Sequence, residues 1–327
     1  AAHIKAYRQL GDARIAALCN PSGRHLDGDF TGVSGNVGDK APVKLDMSQV
    51  KAFQNYAEML ADPSIQLIDI CAPTLAHAEL AIAALQAGKH VLCEKPLART
   101  SAQARRIVEA ASQAQSFFMP AMCMRFWPEW VWLKKAIEEK TFGKVLGARF
   151  RRVAHPPGWG QQHFLHGEKS GGALLDLHIH DVDFVQYCFG RPRAVYATGY
   201  SKFSGAIDHV VAQYQVASGA VVHAEGAWAM TEGFGFSMTC TVNFENATAD
   251  FDIARGADAL KLFEKGKEPR TVQCEGGDGY VGELKHLLES IRAGRPPTIV
   301  TAQDGQSAIE ICEAEEQSIK TGQIIQL

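Results

Sequence analysis

No surplus of positive charge, no closely spaced cysteine pair and no long apolar run occurs in this sequence. Thirty-three Lys and Arg against 36 Asp and Glu leave a formal net charge of −3. Such a chain has no basic field to gather nucleic acid or an anionic membrane, so neither is expected as a partner and a small molecule is. The longest apolar stretches, Ile65 to Ala72 and Glu79 to Ala87, are bounded or broken by Asp69, His77 and Glu79, far short of the roughly 18 residues that a spanning helix needs. The eight cysteines (19, 71, 93, 123, 188, 240, 274 and 312) form no CxxC pair and no zinc spacing, which reads as reduced thiols in a cytoplasmic protein. What is present is a hydrophobic fraction of 46% with 9% aromatics, enough to bury a large core and to exclude disorder as the main character. At about 150 residues per domain, 327 residues predict two domains.

From residue 1 to about 122, amphipathic helical stretches alternate with short apolar runs at the spacing of βα units. Arg14 to Cys19, Gln66 to Cys71, His90 to Cys93 and Phe117 to Ala121 read as buried parallel strands, with helices at about Ala1 to Leu10, Tyr56 to Ala61, Leu75 to Ala87 and Ser101 to Gln113. The Gly, Asp and Ser-rich segment from Pro21 to Ala41 is longer than an ordinary connection and is expected beside a ligand. After Trp127-Pro128 the pattern changes to a helix (Glu129 to Glu139), a strand (Lys144 to Val153) and a helix from near Gly172. Strands follow at Ala194 to Tyr200, His209 to Val216, Ala220 to Trp228, Phe236 to Phe244 and Thr248 to Ile253. Helices at Val281 to Arg292 and Ala302 to Lys320 close the chain. The prediction is an α/β domain over 1–122 and an α+β domain with a large open antiparallel sheet over 123–327.

Two local motifs carry chemistry. In Lys89-His90-Val91-Leu92-Cys93-Glu94-Lys95-Pro96 a buried strand ends at a lysine whose backbone Pro96 keeps out of helix, so its ammonium can be aimed across a cleft. In Gly171-Gly172-Ala173-Leu174-Leu175-Asp176-Leu177-His178-Ile179-His180-Asp181-Val182-Asp183 the glycines admit close backbone approach and a helix follows. Asp176 and His180 are four apart and share a helix face. His180 can accept a hydroxyl proton while a carboxylate orients its ring. His178 lies about 200° from Asp176 on a 3.6-residue period, and Asp181 also faces away from His180, so both are assigned to packing. A metal centre on His178, His180, Asp181 and Asp183, with His163 and His166, is disfavoured because helical ligands point in different directions. No metal is expected.

Together these motifs resemble the Gfo/Idh/MocA family of oxidoreductases. The resemblance runs over nearly the whole chain and includes the Pro73-Thr74-Leu75-Ala76-His77 turn, the run Ala81 to His90, Arg125-Phe126 and the closing Ser318 to Gln323. It implies a Rossmann domain binding NAD or NADP, an open sheet used for homodimer or homotetramer assembly, and a catalytic set of Lys95, Asp176 and His180 acting on a sugar, cyclitol or related polyol. In that chemistry His180 takes the hydroxyl proton, Lys95 stabilises oxyanion charge, and Asp176 fixes the substrate hydroxyl or the ring of His180. Ala72, Pro73, Thr74, His77, Glu94, Lys95, Pro96 and Arg125 are expected against the cofactor, and Lys95, Arg125, Trp159, His163, Asp176 and His180 against substrate.

The sequence also departs from the family pattern. The GxGxxG fingerprint and its strand are absent, and Ala1-Ala2-His3 looks like the residues just after that glycine turn, so an upstream segment is expected, a targeting signal being one possible content. After the second strand of such a domain an acidic residue would mark NAD. Here Asn20, Ser22 and Arg24 offer an amide, a hydroxyl and a cation, which tilts the expectation toward NADP. Of Arg151 and Arg152, which alternate on a strand, at most one reaches the cleft, and a solvated sheet face is the expected place for them. A non-catalytic dinucleotide or sugar sensor of the same fold is the alternative function.

Overall fold

The computed structural model describes residues 1–33, 41–156, 158 and 164–327. Helix α1 (Ala2–Gln9) leads into β1 (Ala17–Cys19), which pairs in parallel with β2 (Lys51–Phe53). Asn55 caps α2 (Tyr56–Ala61) by accepting from the Ala57 amide. A second parallel sheet, order β3-β4-β5, holds β3 (Leu67–Ile70), β4 (His90–Glu94) and β5 (Phe118–Ala121), with α3 (His77–Gln86) and α4 (Ser101–Gln113) as crossovers. Val91, Leu92 and Cys93 are fully buried, as a strand covered on both faces requires. Pro120 is tolerated because β5 is an edge strand. The expected parallel layer is therefore divided, with no described strand joining the two sheets.

Beyond the turn at Cys123–Phe126, α5 (Pro128–Glu138) starts with proline at its first helical position. The second sheet has nine strands in the order β13-β12-β11-β10-β6-β9-β8-β7-β14. These are β6 (Val145–Ala154), β7 (Ala194–Tyr200), β8 (His209–Gln215), β9 (Val221–Ala227), β10 (Phe236–Phe244), β11 (Ala247–Asp252), β12 (Leu260–Glu264), β13 (Arg270–Thr271) and β14 (Ile325–Gln326). One expectation is corrected here: the sheet is mixed, since β6 and β9 at its centre run parallel, while its other pairs are antiparallel. Between β6 and β7 lie the short helix α6 (Gly167–Ser170) and α7 (Ile179–Phe189). The chain closes with α8 (Gly279–Arg292) and α9 (Ala302–Thr321), the latter capped by Thr301 and ended at Gly322 in the left-handed region.

The inner face of the sheet packs Trp130, Phe150, Phe184 and Phe251 into one aromatic cluster, with Trp130 edge-on to Phe184 at 4.6 Å between centroids. The opposite face carries Tyr196, Val211, Val221 and Phe263, all more than 40% exposed. The closing helices return to the first half of the chain: α8 packs on α1, and α9 on α4 as well as on α7 and β7. No described helix is long and apolar enough to cross a membrane.

Candidate active site

Lys95 follows the last residue of β4, where the chain turns through a cis Lys95-Pro96 bond. Its ammonium reaches the second half of the chain, donating to the Asp176 carbonyl at 2.6 Å and to Asp176 Oδ1 at 3.1 Å. Both side chains are four-fifths or more buried, so this is a contact sheltered from solvent and not a surface pair. Asp176 sits in a π-helical turn, Leu174–His178, that runs directly into α7. A widened turn of this kind is frequent at functional sites. Gly172 makes the entry possible: its φ is +71°, and a Cβ there would lie 2.4 Å from the Ile207 carbonyl oxygen.

His180 lies on the first turn of α7, near enough to Lys95 for that charge to act on its ring. Burial, followed by the positive charges of Lys95 and Arg152, holds its imidazole well below its ordinary value. A ring so placed is neutral near pH 7 and free to accept a proton. Of the two roles expected of Asp176, contact with the ring of His180 is not made: its carboxylate goes to Lys95, and no hydrogen bond joins it to the ring. His180 Nδ1 is instead buried without a partner, the kind of atom that a bound ligand satisfies.

The remaining polar residues of the same motif are each held by a different element. His178 Nε2 lies 3.2 Å from Glu315 on α9, and Tyr214 of β8 donates to that carboxylate at 2.7 Å. Asp181 accepts two hydrogen bonds from Arg152 of β6 at 3.0 and 3.1 Å. Asp183 accepts two from Arg125 at 2.9 and 2.6 Å. His178, Asp181 and Asp183 thus anchor the helix from three directions, as packing residues, and do not converge on one point with His180. His166 is exposed beside Glu168.

Arg125 is a correction. Expected against cofactor and substrate, it is 3% exposed, and it also donates to the Ile299 carbonyl at 2.7 Å and lies 3.3 Å from Asp304. It joins the Cys123–Phe126 turn, α7 and the start of α9. Arg125→Met, which strands the Asp183 carboxylate, is expected to lower stability by about 3–5 kcal/mol, read from urea unfolding; an unchanged midpoint and slope contradicts this.

His77 is similarly redirected. It is 1% exposed, with Nδ1 2.9 Å from the Pro96 carbonyl and Nε2 2.8 Å from the Ala72 carbonyl, so it clamps the turn after β3 to the turn after β4. Pro73 and Thr74 follow β3, Glu94 accepts from the Lys95 amide at 3.0 Å, and all lie at carboxyl ends of parallel strands, where this class of fold holds nucleotides. At the end of β1, Asn20 Oδ1 accepts from the Ser22 amide at 3.0 Å and from its hydroxyl at 2.9 Å, and Arg24 Nε lies 3.3 Å from Ser22 Oγ. These residues fit a dinucleotide by placement: three turns at the carboxyl ends of parallel strands, one of them bearing the Arg24 cation. Trp159, Gln162 and His163 lie outside the described residues, as does the 34–40 part of the segment expected beside a ligand. His155 is half-buried against Phe203.

Two contributors were not singled out as site residues. Arg152, expected on a solvated sheet face, is a correction: it is 2% exposed on the inner face of β6, paired with Asp181, and its charge acts on His180. Arg99 donates to the Gly167 and Glu168 carbonyls at 3.2 and 3.3 Å, tying the segment after Lys95 to α6; no local pattern signals it.

A family profile described as the oxidoreductase family with an NAD-binding Rossmann fold, GFO/IDH/MocA, matches residues 2–122. The profile of the GFO/IDH/MocA C-terminal domain matches residues 130–250. The chain is 28% identical over 290 residues to the myo-inositol 2-dehydrogenase of Thermotoga maritima, spanning 85% of this chain and 84% of that one. It is 35% identical over 158 residues to the trans-1,2-dihydrobenzene-1,2-diol dehydrogenase of Xenopus laevis, spanning 47% of each. Among solved structures, a levoglucosan dehydrogenase in complex with NADH and levoglucosan superposes with a TM-score of 0.77 at 24% identity over 84% of each chain, a likeness of fold.

Proposed function

The chain belongs to the GFO/IDH/MocA oxidoreductase family, and from that premise we propose that it moves hydride between a nicotinamide and a ring hydroxyl of a sugar, cyclitol or related polyol, with Lys95, Asp176 and His180 as its catalytic residues. The observation that carries this reading is the contact from Lys95 Nζ, at the end of a parallel strand, to Asp176 on the turn before His180. The relatives named above act, by their names, on inositol, a cyclic diol and levoglucosan, and a ring bearing neighbouring oxygens is their common chemistry. We assign the dinucleotide domain to 1–122 and the substrate and assembly domain to 123–327.

A bound nicotinamide supplies the hydride acceptor. Of the chain's own groups, His180 receives the hydroxyl proton on its neutral imidazole and returns it in the reductive direction. Lys95 presents Nζ to the oxygen on which negative charge develops. Asp176 holds that ammonium in place and orients the hydroxyl beside it. The turns at Ala72–Thr74 and Glu94–Pro96, joined by His77, form the wall against which the dinucleotide rests.

Ser22 and Arg24 favour NADP over NAD, the guanidinium being available to a 2′-phosphate. Arg24→Glu is expected to raise the KM for NADP at least about tenfold while that for NAD changes little, since hydrogen bonds to charged groups contribute roughly 1.5–3 kcal/mol. Equal effects on both cofactors contradict the assignment. The open sheet face with Tyr196, Val211 and Val221 fits a second copy of the chain, and the eight unpaired cysteines fit a reducing compartment. The reading is tested by following reduced nicotinamide with both cofactors against a panel of sugars, sugar acids and inositols. Turnover of ring alcohols is expected; binding of dinucleotide with no turnover of any panel member overturns it in favour of a sensor.

A further inference from the structure

A second polar cluster lies beneath the turn after β3, made of residues that the hydride-transfer reading does not use as catalysts. His3 on α1 turns Nδ1 to the two Asp69 oxygens at 3.0 and 2.8 Å. Cys71 Sγ stands 3.6 Å from that nitrogen and 3.4 Å from Asp69 Oδ1. One donor atom from each of the three lies within 4.8 Å of the others. A tetrahedral zinc ion, with bonds of about 2.0–2.1 Å to nitrogen or oxygen and about 2.3 Å to thiolate, sets edges of roughly 3.6 Å to sulfur and roughly 3.4 Å between the lighter donors. The two sulfur edges are already met. Opening the third by about half an ångström needs a small rotation of the Asp69 carboxylate.

The other side of the imidazole carries an independent sign. His3 Nε2 lies 3.2 Å from Glu94 Oε1 and 3.4 Å from Glu283 Oε1. Glu283 is 0% exposed, and neither of its oxygens has a hydrogen-bond partner. A carboxylate behind a ligating imidazole fixes the ring and strengthens the opposite nitrogen as a donor.

We propose that His3 Nδ1, Asp69 and Cys71 bind a divalent ion of the zinc class, with its fourth position open to solvent beside Cys71, the exposed member of the set. Imidazole with thiolate selects such an ion over Mg²⁺ and Ca²⁺, which take oxygen donors. The ligands come from positions 3, 69 and 71, so no cysteine or histidine spacing in the sequence could announce them.

The test is titration of metal-stripped protein with Co²⁺, read by the thiolate-to-cobalt charge-transfer absorption. One equivalent is expected to bind, with the absorption bleached when Zn²⁺ displaces it and unaffected by Mg²⁺. Cys71→Ser, a surface change whose fold is checked by circular dichroism, is expected to abolish the absorption. Asp69→Asn and Glu283→Gln are expected to weaken binding by about tenfold or more. Absence of a thiolate–cobalt absorption in the wild type overturns the proposal, as does its persistence in Cys71→Ser. Because the readout is metal binding alone, it stands or falls apart from the dehydrogenase reading.

Discussion

Replacing His180 with alanine is expected to lower kcat by about a hundredfold or more while dinucleotide affinity stays within experimental scatter. The size follows from the loss of a positioned proton acceptor, which contributes typically about 10²–10⁴-fold. The selectivity follows from position: His180 lies on α7, in the second half of the chain, whereas the strand-end turns assigned to the dinucleotide are in the first. The two readouts together are what matter. A fall in affinity that matched the fall in rate would describe a disturbed fold, and turnover at the wild-type rate would remove His180 from the chemistry. The fold itself should tolerate the change, because the helix is anchored by His178, Asp181 and Asp183 through Glu315, Arg152 and Arg125.

Lys95→Met is expected to reduce kcat by about 10²–10³, the range found when one donor to a developing oxyanion is removed. Methionine retains most of the side-chain volume and lacks the charge, so the loss reports electrostatics. The substitution also strands the sheltered Asp176 carboxylate, so unfolding is followed alongside turnover to separate a loss of stability from a loss of rate. Michaelis constants for the dinucleotide that rise while kcat is unchanged would instead make Lys95 a cofactor-binding group with no share in the chemical step.

Much of this site could be read before the fold was known. The end of β4 at Lys95 and the four-residue step from Asp176 to His180 are local patterns, and the meeting of Lys95 with Asp176 across 81 positions follows from placing a parallel domain beside a sheet domain. The helices Tyr56–Ala61 and Ser101–Gln113 match their predicted limits because Asn55 and Thr100 cap them, and the strand Phe236–Phe244 matches because apolar and polar residues alternate along its sequence.

What escaped has physical causes. Strand direction relative to a neighbour is not encoded in a strand's own residues, so the parallel pairing of β6 with β9 was unreadable. Lys51–Phe53, Arg270–Thr271 and Ile325–Gln326 are too short to establish a period, and Leu260–Glu264 follows a polar turn that ended the pattern being followed. The π-helical turn at Leu174–His178 reads as ordinary helix. The family resemblance sets Arg125, at the domain junction, and His77, after a strand end, against the ligand. Their buried partners, Asp183 and the Ala72 and Pro96 carbonyls, become neighbours when the chain folds.

The pH dependence of kcat/KM for alcohol oxidation, compared between the wild type and Lys95→Met, bears most directly on whether an ammonium from one half of the chain tunes an imidazole from the other. Oxidation needs His180 unprotonated, so activity is present above its pKa and is lost as pH falls through it. Burial and the nearby cations lower that pKa, which places the wild-type acid limb below the ordinary imidazole value of about 6.5. Removing the Lys95 charge should move the limb upward, leaving Arg152 and burial as the remaining causes. An acid limb at the same pH in both proteins would mean that the two groups do not share a site.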